Sequence, residues 1–171
     1  MFTKKNSIGI VIALFMMLLS ASCSSSKKSV VTNIDKNKIV VADKKMNKKL
    51  YKEVDEWLGV PYKYGGQSKK GTDCSGLVVE IYKEVYGIKL YRSSSEIYEK
   101  NCKKIKKSDL KEGDLVFFIT SKNEKKINHV GLYLKDDKFV HTSTKKGVII
   151  SELKEPYYES TFFDAGRVIS H

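Results

Sequence analysis

No apolar run in this 171-residue chain is long enough to span a bilayer. The longest, Ile8 to Leu19, has twelve residues, against the roughly 20 that a membrane-spanning helix needs. That excludes an ordinary retained anchor and favours a segment that is removed. Histidine is scarce, with three residues, so few side chains can serve as a base near neutral pH. Cysteine is equally scarce, also with three. No stretch repeats at a fixed period, which excludes solenoid and propeller architectures. Basic residues outnumber acidic ones, 32 to 20, for a net charge of +12, yet no run of lysine and arginine exceeds three.

What is present begins with an address. Lys4 and Lys5 precede the apolar run, and Ser20-Ala21-Ser22-Cys23 follows it. This is the pattern of a bacterial export signal. A cysteine after small residues at the end of such a run reads as a lipidation site, with Ser20 where a leucine is usual and ordinary cleavage near Ala21 as the alternative. Residues 1–22 are therefore expected to be a signal peptide and 23–45, rich in serine and lysine, a lipidated tether. Two or more acyl chains on Cys23 would hold the protein stably on a membrane. Residues 46–171, about 125 residues, suit one domain. Without the signal the charge is still about +10. In an exported chain this points to an anionic envelope polymer or lipid head groups, or simply to solubility, and away from nucleic acid.

Cys74 is the most informative residue. It ends the stretch Tyr62-Lys-Tyr-Gly-Gly-Gln-Ser-Lys-Lys-Gly-Thr-Asp-Cys and begins a segment in which Leu77, Val78, Ile81, Tyr82 and Val85 recur at helical spacing. A helix start offers unsatisfied N–H groups and partial positive charge, which stabilise a thiolate and are expected to lower the thiol pKa from about 8.5 toward neutrality. The same groups can hold an oxyanion. His129 and His141, twelve residues apart, fall in strand-like segments flanking Lys135-Asp136-Asp137, which read together as an antiparallel hairpin and put both imidazoles within reach of one face, with the exact register not fixed by the sequence. His171, at the terminus, has no assigned role.

The remaining pattern predicts an α+β domain. Leu50, Val54, Trp57 and Leu58 mark a first helix ended by Gly59 and Pro61, and the Cys74 helix should stop at Gly87. Ser93 with Glu96 is a capping box opening a third helix through about Asn101. Strands are expected at Leu115–Ile119, around His129 and His141, at Val148–Ile150 and at Ala165–Ile169. They make about five strands in a meander. Cys102 lies in a lysine-rich stretch away from these features and reads as a bystander, with a Cys74 to Cys102 disulfide the lesser possibility.

Taken together, Tyr62, Gly65-Gly66, Asp73-Cys74-Ser75-Gly76, Arg92-Ser93-Ser94, Gly113-Asp114-Leu115, His129-Val-Gly-Leu-Tyr133 and Phe139-Val-His141 resemble the NlpC-type peptidoglycan endopeptidases. The resemblance runs from about Leu50 to Ile169. It implies a papain-like fold with N-terminal helices packed on an antiparallel sheet, and the roles of nucleophile, base and orienting residue for Cys74, His129 and His141. It also implies an oxyanion contact from the Tyr62 hydroxyl and a substrate cleft lined by Tyr62, Asp73, Ser75 and Ser93. The substrate would be a stem-peptide bond or a cross-link in peptidoglycan, cut without metal or cofactor by a monomer.

Several readings stay open on the residues alone. Asp73 and Ser93 can each cap a helix or touch substrate, and Arg92 can meet a stem-peptide carboxylate or only solvent. A titrating His141 would make activity fall on the acid side of neutrality. A cysteine and two histidines also form a zinc ligand set, with Glu124 the nearest acid, and a peptidoglycan-binding lipoprotein without activity is a further alternative. No wall-binding module fits residues 24–45, so anchor and basic surface would localise the protein to the cell envelope. Ser24 points to the outer membrane, facing the periplasm, in a Gram-negative cell.

Overall fold

Leu50, Tyr51, Val54 and Trp57 fall on one side of the first helix, α1 (Lys48–Trp57), and all four are buried. The structure, a computed structural model, describes residues 48–121, 123 and 125–169. The expected signal peptide, Cys23, the tether, Glu124 and His171 lie outside them. After α1 the chain turns at Gly59, whose φ is +81°. A ribbon of two short strands, β1 (Gln67–Ser68) and β2 (Gly71–Thr72), then leads into the central helix α2 (Cys74–Tyr86).

Both ends of α2 are set by side-chain chemistry. Asp73 is the N-cap, its Oδ1 accepting the Gly76 N–H at 2.7 Å. At the other end Gly87 sits at φ +69° while the Gly87 and Ile88 N–H groups reach back to the carbonyls of Lys83 and Tyr82, a Schellman closure that favours glycine. Leu77, Val78, Ile81, Tyr82 and Val85 are buried on the face between. Gly76 has its own constraint: a Cβ there would lie 2.2 Å from the Gly66 carbonyl oxygen. The glycine-rich turn can pack against the helix start only because that atom is missing.

The Ser93–Glu96 box forms, with the Glu96 N–H on Ser93 Oγ at 3.3 Å and the Ser93 hydroxyl donating to Glu96 Oε2 at 2.9 Å. It opens α3 (Ser94–Glu96), which continues as a π-turn through Asn101 rather than as a regular helix. Among the described residues the main sheet has six strands, where about five were expected. In chain order they are β3 (Cys102–Ile105), β4 (Leu115–Phe118), β5 (His129–Tyr133), β6 (Lys138–Ser143), β7 (Gly147–Glu152) and β8 (Phe162–Val168). In space they run β3-β8-β4-β5-β6-β7, with all pairings antiparallel. Strands β4 to β7 are a meander, but β8 returns to insert between β3 and β4, so the sheet as a whole is not one.

The sixth strand escapes a pattern search because Cys102-Lys-Lys-Ile105 is an edge strand with two exposed lysines at its centre. Such lysines protect an edge from further pairing. Cys102 is half-buried there against the main core and is a free thiol, as is Cys74. An unforeseen helix, α4 (Pro156–Thr161), lies before β8. It has no apolar stripe of its own, yet it brings Tyr158 against Phe118 and Phe139 on the sheet face opposite α1 and α2. The sheet is thus covered on both sides, which explains why Leu115-Val-Phe-Phe118 is apolar without alternation and wholly buried. Each buried phenylalanine contributes about 2–3 kcal/mol from apolar burial.

The hairpin carrying the two histidines is built as its turn residues dictate. Asp136 and Asp137 have φ of +53° and +60°, the left-handed pair of a type I′ turn. The register Leu132↔Val140 and Tyr133↔Phe139 follows. That register sends residues 129 and 141 to the same side of the sheet.

Candidate active site

Cys74 is the first residue of α2 and His129 the first of β5, and both line one open cavity of about 710 Å³. His141, Tyr62, Asp73, Ser75, Arg92 and Ser93 line the same cavity. The rings of His129 and His141 meet nearly at right angles, with His129 Nε2 3.0 Å from His141 Nδ1. This contact uses the ε nitrogen of His129, so Nδ1 is the one left to exchange a proton with a group in the cavity.

The N–H groups at the start of α2 can be accounted for one by one. Gly76 N–H goes to the Asp73 carboxylate and Leu77 N–H to the Asp73 carbonyl. The N–H groups of Cys74 and Ser75 remain, and both act on the Cys74 sulfur, as does the Val130 N–H. They favour negative charge there. Burial nevertheless outweighs them. Together with the nearby Asp73 charge it pushes the Cys74 thiol up, against the expectation of a lowered value. Burial also holds His129 down, from an ordinary 6.5 to about 4. His141 is lowered by burial and by the proximity of His129, offset in part by the Thr142 backbone. Burial therefore favours a neutral thiol beside a neutral imidazole.

These shifts fix a pH dependence. Between pH 6.5 and about 4 the unfolded chain binds a proton at His129 that the folded chain does not. The stability tied to the neutral ring is complete above 6.5 and is lost as pH falls through that window, and His141 adds to the loss in the same direction. Melting temperature should thus decline from pH 6.5 downward, while kcat/KM, which follows the fraction of neutral His129, holds until about pH 4. Thermal melts and initial rates measured on one buffer series check both. A kinetic acid limb near 6.5 would show His129 titrating at its ordinary value rather than held down by burial.

Asp73 and Arg92 form the other half of the site. Two guanidinium nitrogens grip the two carboxylate oxygens, Nη1 to Oδ1 at 2.9 Å and Nη2 to Oδ2 at 2.8 Å. Arg92 also donates to Ser75 Oγ at 2.8 Å and to the Gly66 carbonyl at 3.1 Å. The carboxylate further accepts from the Gly65 N–H at 2.9 Å and the Ser75 hydroxyl at 3.2 Å. Burial works to raise the Asp73 pKa, but Arg92 and the Gly76 and Gly65 N–H groups outweigh it and hold it below the usual carboxylate range. Arg92 is thus more than a solvated cation: it ties the glycine-rich turn, the N-cap and Ser75 into one unit while still lining the cavity.

Other residues in and behind the cavity wall carry no signal at the level of one sequence. Tyr158 Oη and Ser151 Oγ lie 3.1 and 3.2 Å from His141 Nε2. Asn128 Oδ1 accepts from the Thr120 N–H and hydroxyl, closing the loop before β5. Thr142 Oγ1 donates to the Asp73 carbonyl at 3.2 Å, joining β6 to the start of α2. Tyr64, exposed, and Tyr157, half-exposed, stand at the cavity's margin with Tyr62.

A helix-opening cysteine over an antiparallel sheet with two histidines in contact matches a known group. Residues 59–167 match the NlpC/P60 family. The chain belongs to the NlpC/P60 family. Among curated relatives it is similar to the murein DD-endopeptidase MepS/murein LD-carboxypeptidase of Escherichia coli K12, 37% identical over 146 residues, 85% of this chain and 76% of that protein. It is 42% identical over 123 residues to the probable endopeptidase NlpC homolog of Haemophilus influenzae, covering 72% of this chain and 63% of that one. Among solved structures, an NlpC/P60 family protein from Bacillus cereus superposes with a TM-score of 0.66 at 30% identity, over 72% of this chain and 40% of that longer one. The fold is the papain-like α+β fold of NlpC/P60 proteins.

Proposed function

We propose that this protein is a cell-wall cysteine endopeptidase that hydrolyses amide bonds in peptidoglycan stem peptides or cross-links, with Cys74 as nucleophile, His129 as base and His141 orienting it. The observation that carries the reading is one cavity lined by Cys74, His129 and His141, with the two imidazoles in contact at 3.0 Å. With burial favouring a neutral pair, the proton passes from Sγ to His129 Nδ1 as sulfur bonds to the amide carbon. The N–H groups of Cys74 and Ser75, with the Tyr62 hydroxyl, receive the oxyanion. The imidazolium then protonates the departing amine, and water, deprotonated by His129, cleaves the thioester to release acid and free thiol.

The DD-endopeptidase named among the relatives supports a cross-link between stem peptides as the bond cut. Acylation of Cys23 would hold the enzyme at the cell envelope, on the outer membrane facing the periplasm in a Gram-negative cell, with its basic surface toward the anionic wall. The full-length protein incubated with purified sacculi should convert cross-linked muropeptide dimers to monomers, identified by mass spectrometry. Cleavage within the stem alone would move the bond. Sacculi that bind the protein yet stay intact would favour a binding lipoprotein instead.

A further inference from the structure

The His129–His141 contact has a directional requirement. To accept the Cys74 proton at Nδ1, neutral His129 must carry its hydrogen on Nε2 and donate it to His141 Nδ1. His141 must then be unprotonated at Nδ1, and so, when neutral, protonated at Nε2. That N–H is buried, since His141 is 1% exposed, and a buried donor without an acceptor is costly. Two hydroxyls stand at it: Tyr158 Oη at 3.1 Å and Ser151 Oγ at 3.2 Å. They come from separate elements, α4 and β7.

We propose that Tyr158 and Ser151 are positioning residues that accept the hydrogen of His141 Nε2, so that burial does not penalise the tautomer that keeps His129 Nδ1 open to accept the Cys74 proton. The inference rests on the assignment of Cys74 and His129 given above. With both hydroxyls removed, the required tautomer has an unpaired buried N–H. The competing tautomer places its hydrogen on Nδ1, donates to His129 Nε2 and forces the His129 hydrogen to Nδ1, where it blocks proton transfer. The ring of Tyr158 is held independently against Phe118, Phe139 and His141, with centroids 5.0 to 5.6 Å apart. Tyr158→Phe therefore deletes the hydroxyl and keeps the packing, and Ser151→Ala leaves a methyl group on the strand.

Either single change leaves one acceptor and should lower kcat by only a few-fold. The double variant should lose about 10- to 100-fold in kcat with KM nearly unchanged. A purely structural role could also lower activity, so the decisive readouts are two others. In His141→Asn protein, the amide oxygen accepts from His129 Nε2 with no tautomer to choose. Adding Tyr158→Phe and Ser151→Ala to that background should change the residual rate by less than about two-fold. Imidazole 15N chemical shifts should show His141 protonated at Nε2 in the wild type and lose that signature in the double variant. The shifts do not depend on turnover, so a wild type inactive on sacculi would count against the peptidase assignment and leave the tautomer claim to the spectrum. An unchanged tautomer in the double variant, or an equal loss of rate in the His141→Asn background, would overturn the inference.

Discussion

Cys74→Ala is expected to lower muropeptide release by at least about 10⁴-fold, and His129→Ala by nearly as much, while the double variant is no worse than Cys74→Ala alone. The non-additivity is the informative part. A thiol without its base reacts only through its small thiolate fraction, which burial reduces further by pushing the Cys74 pKa up. A base without the thiol has no proton to take. What rate survives should come from binding and from N–H donors at the start of α2, which both substitutions leave in place. Since Cys74 is packed only partly against the core, its removal should leave the melting temperature within a few degrees of wild type. Initial rates on sacculi with parallel thermal melts check the set, and additive losses would show two sites acting separately.

Asp73→Ala is expected to destabilise the domain by about 3 kcal/mol and to reduce activity beyond what the unfolded fraction explains. The carboxylate caps α2, accepts the Gly65 N–H and takes a two-pronged grip from Arg92. Removing it frees the glycine-rich turn from the helix start and leaves Arg92 with only Ser75 and the Gly66 carbonyl. Cys74 and Ser75 N–H groups then lose their fixed direction. Asp73→Asn keeps an oxygen for the Gly76 N–H but gives up the charge that Arg92 grips, so it should fall between the two in stability. Urea unfolding and kcat at a temperature where all three proteins are folded provide the comparison. An Asp73→Ala protein as stable as Asp73→Asn would mean that the Arg92 pair contributes the greater part and the cap little.

Much of this architecture is legible in local chemistry. Asp73 and Gly87 bracket α2 because a carboxylate satisfies helix-start N–H groups and a glycine accepts a left-handed backbone, and both effects act within a few residues. Lys135-Asp136-Asp137 mark the hairpin in the same way, whereas the register that puts His129 and His141 on one face is settled by the strand pairing. What a local reading misses is what only assembly creates. Strand β3 has two outward lysines and no alternating apolar pattern, so it exists as a strand only because β8 returns beside it. Helix α4 is six residues long and gains its order from Tyr158 packing on residues 118 and 139, distant in sequence. The same holds within the cavity. Arg92 is 19 residues from Asp73, and Ser151 and Tyr158 are 10 and 17 from His141, and no spacing rule joins them. The direction of the thiol pKa escapes a local reading for a related reason: the helix start is a local feature, whereas the burial that outweighs it is built by the whole fold.

Reversible blocking of Cys74 tests the account most directly. The full-length protein is treated with methyl methanethiosulfonate, the modified positions are mapped by peptide mass spectrometry, and release of muropeptides from sacculi is followed before and after reduction. Cys102 should modify slowly, because burial and the nearby Asp114 push its thiol up to about 12. The account predicts that activity falls in proportion to the fraction of Cys74 blocked and returns fully with dithiothreitol. Protein completely blocked at Cys74 that still digests sacculi at the unblocked rate would contradict it.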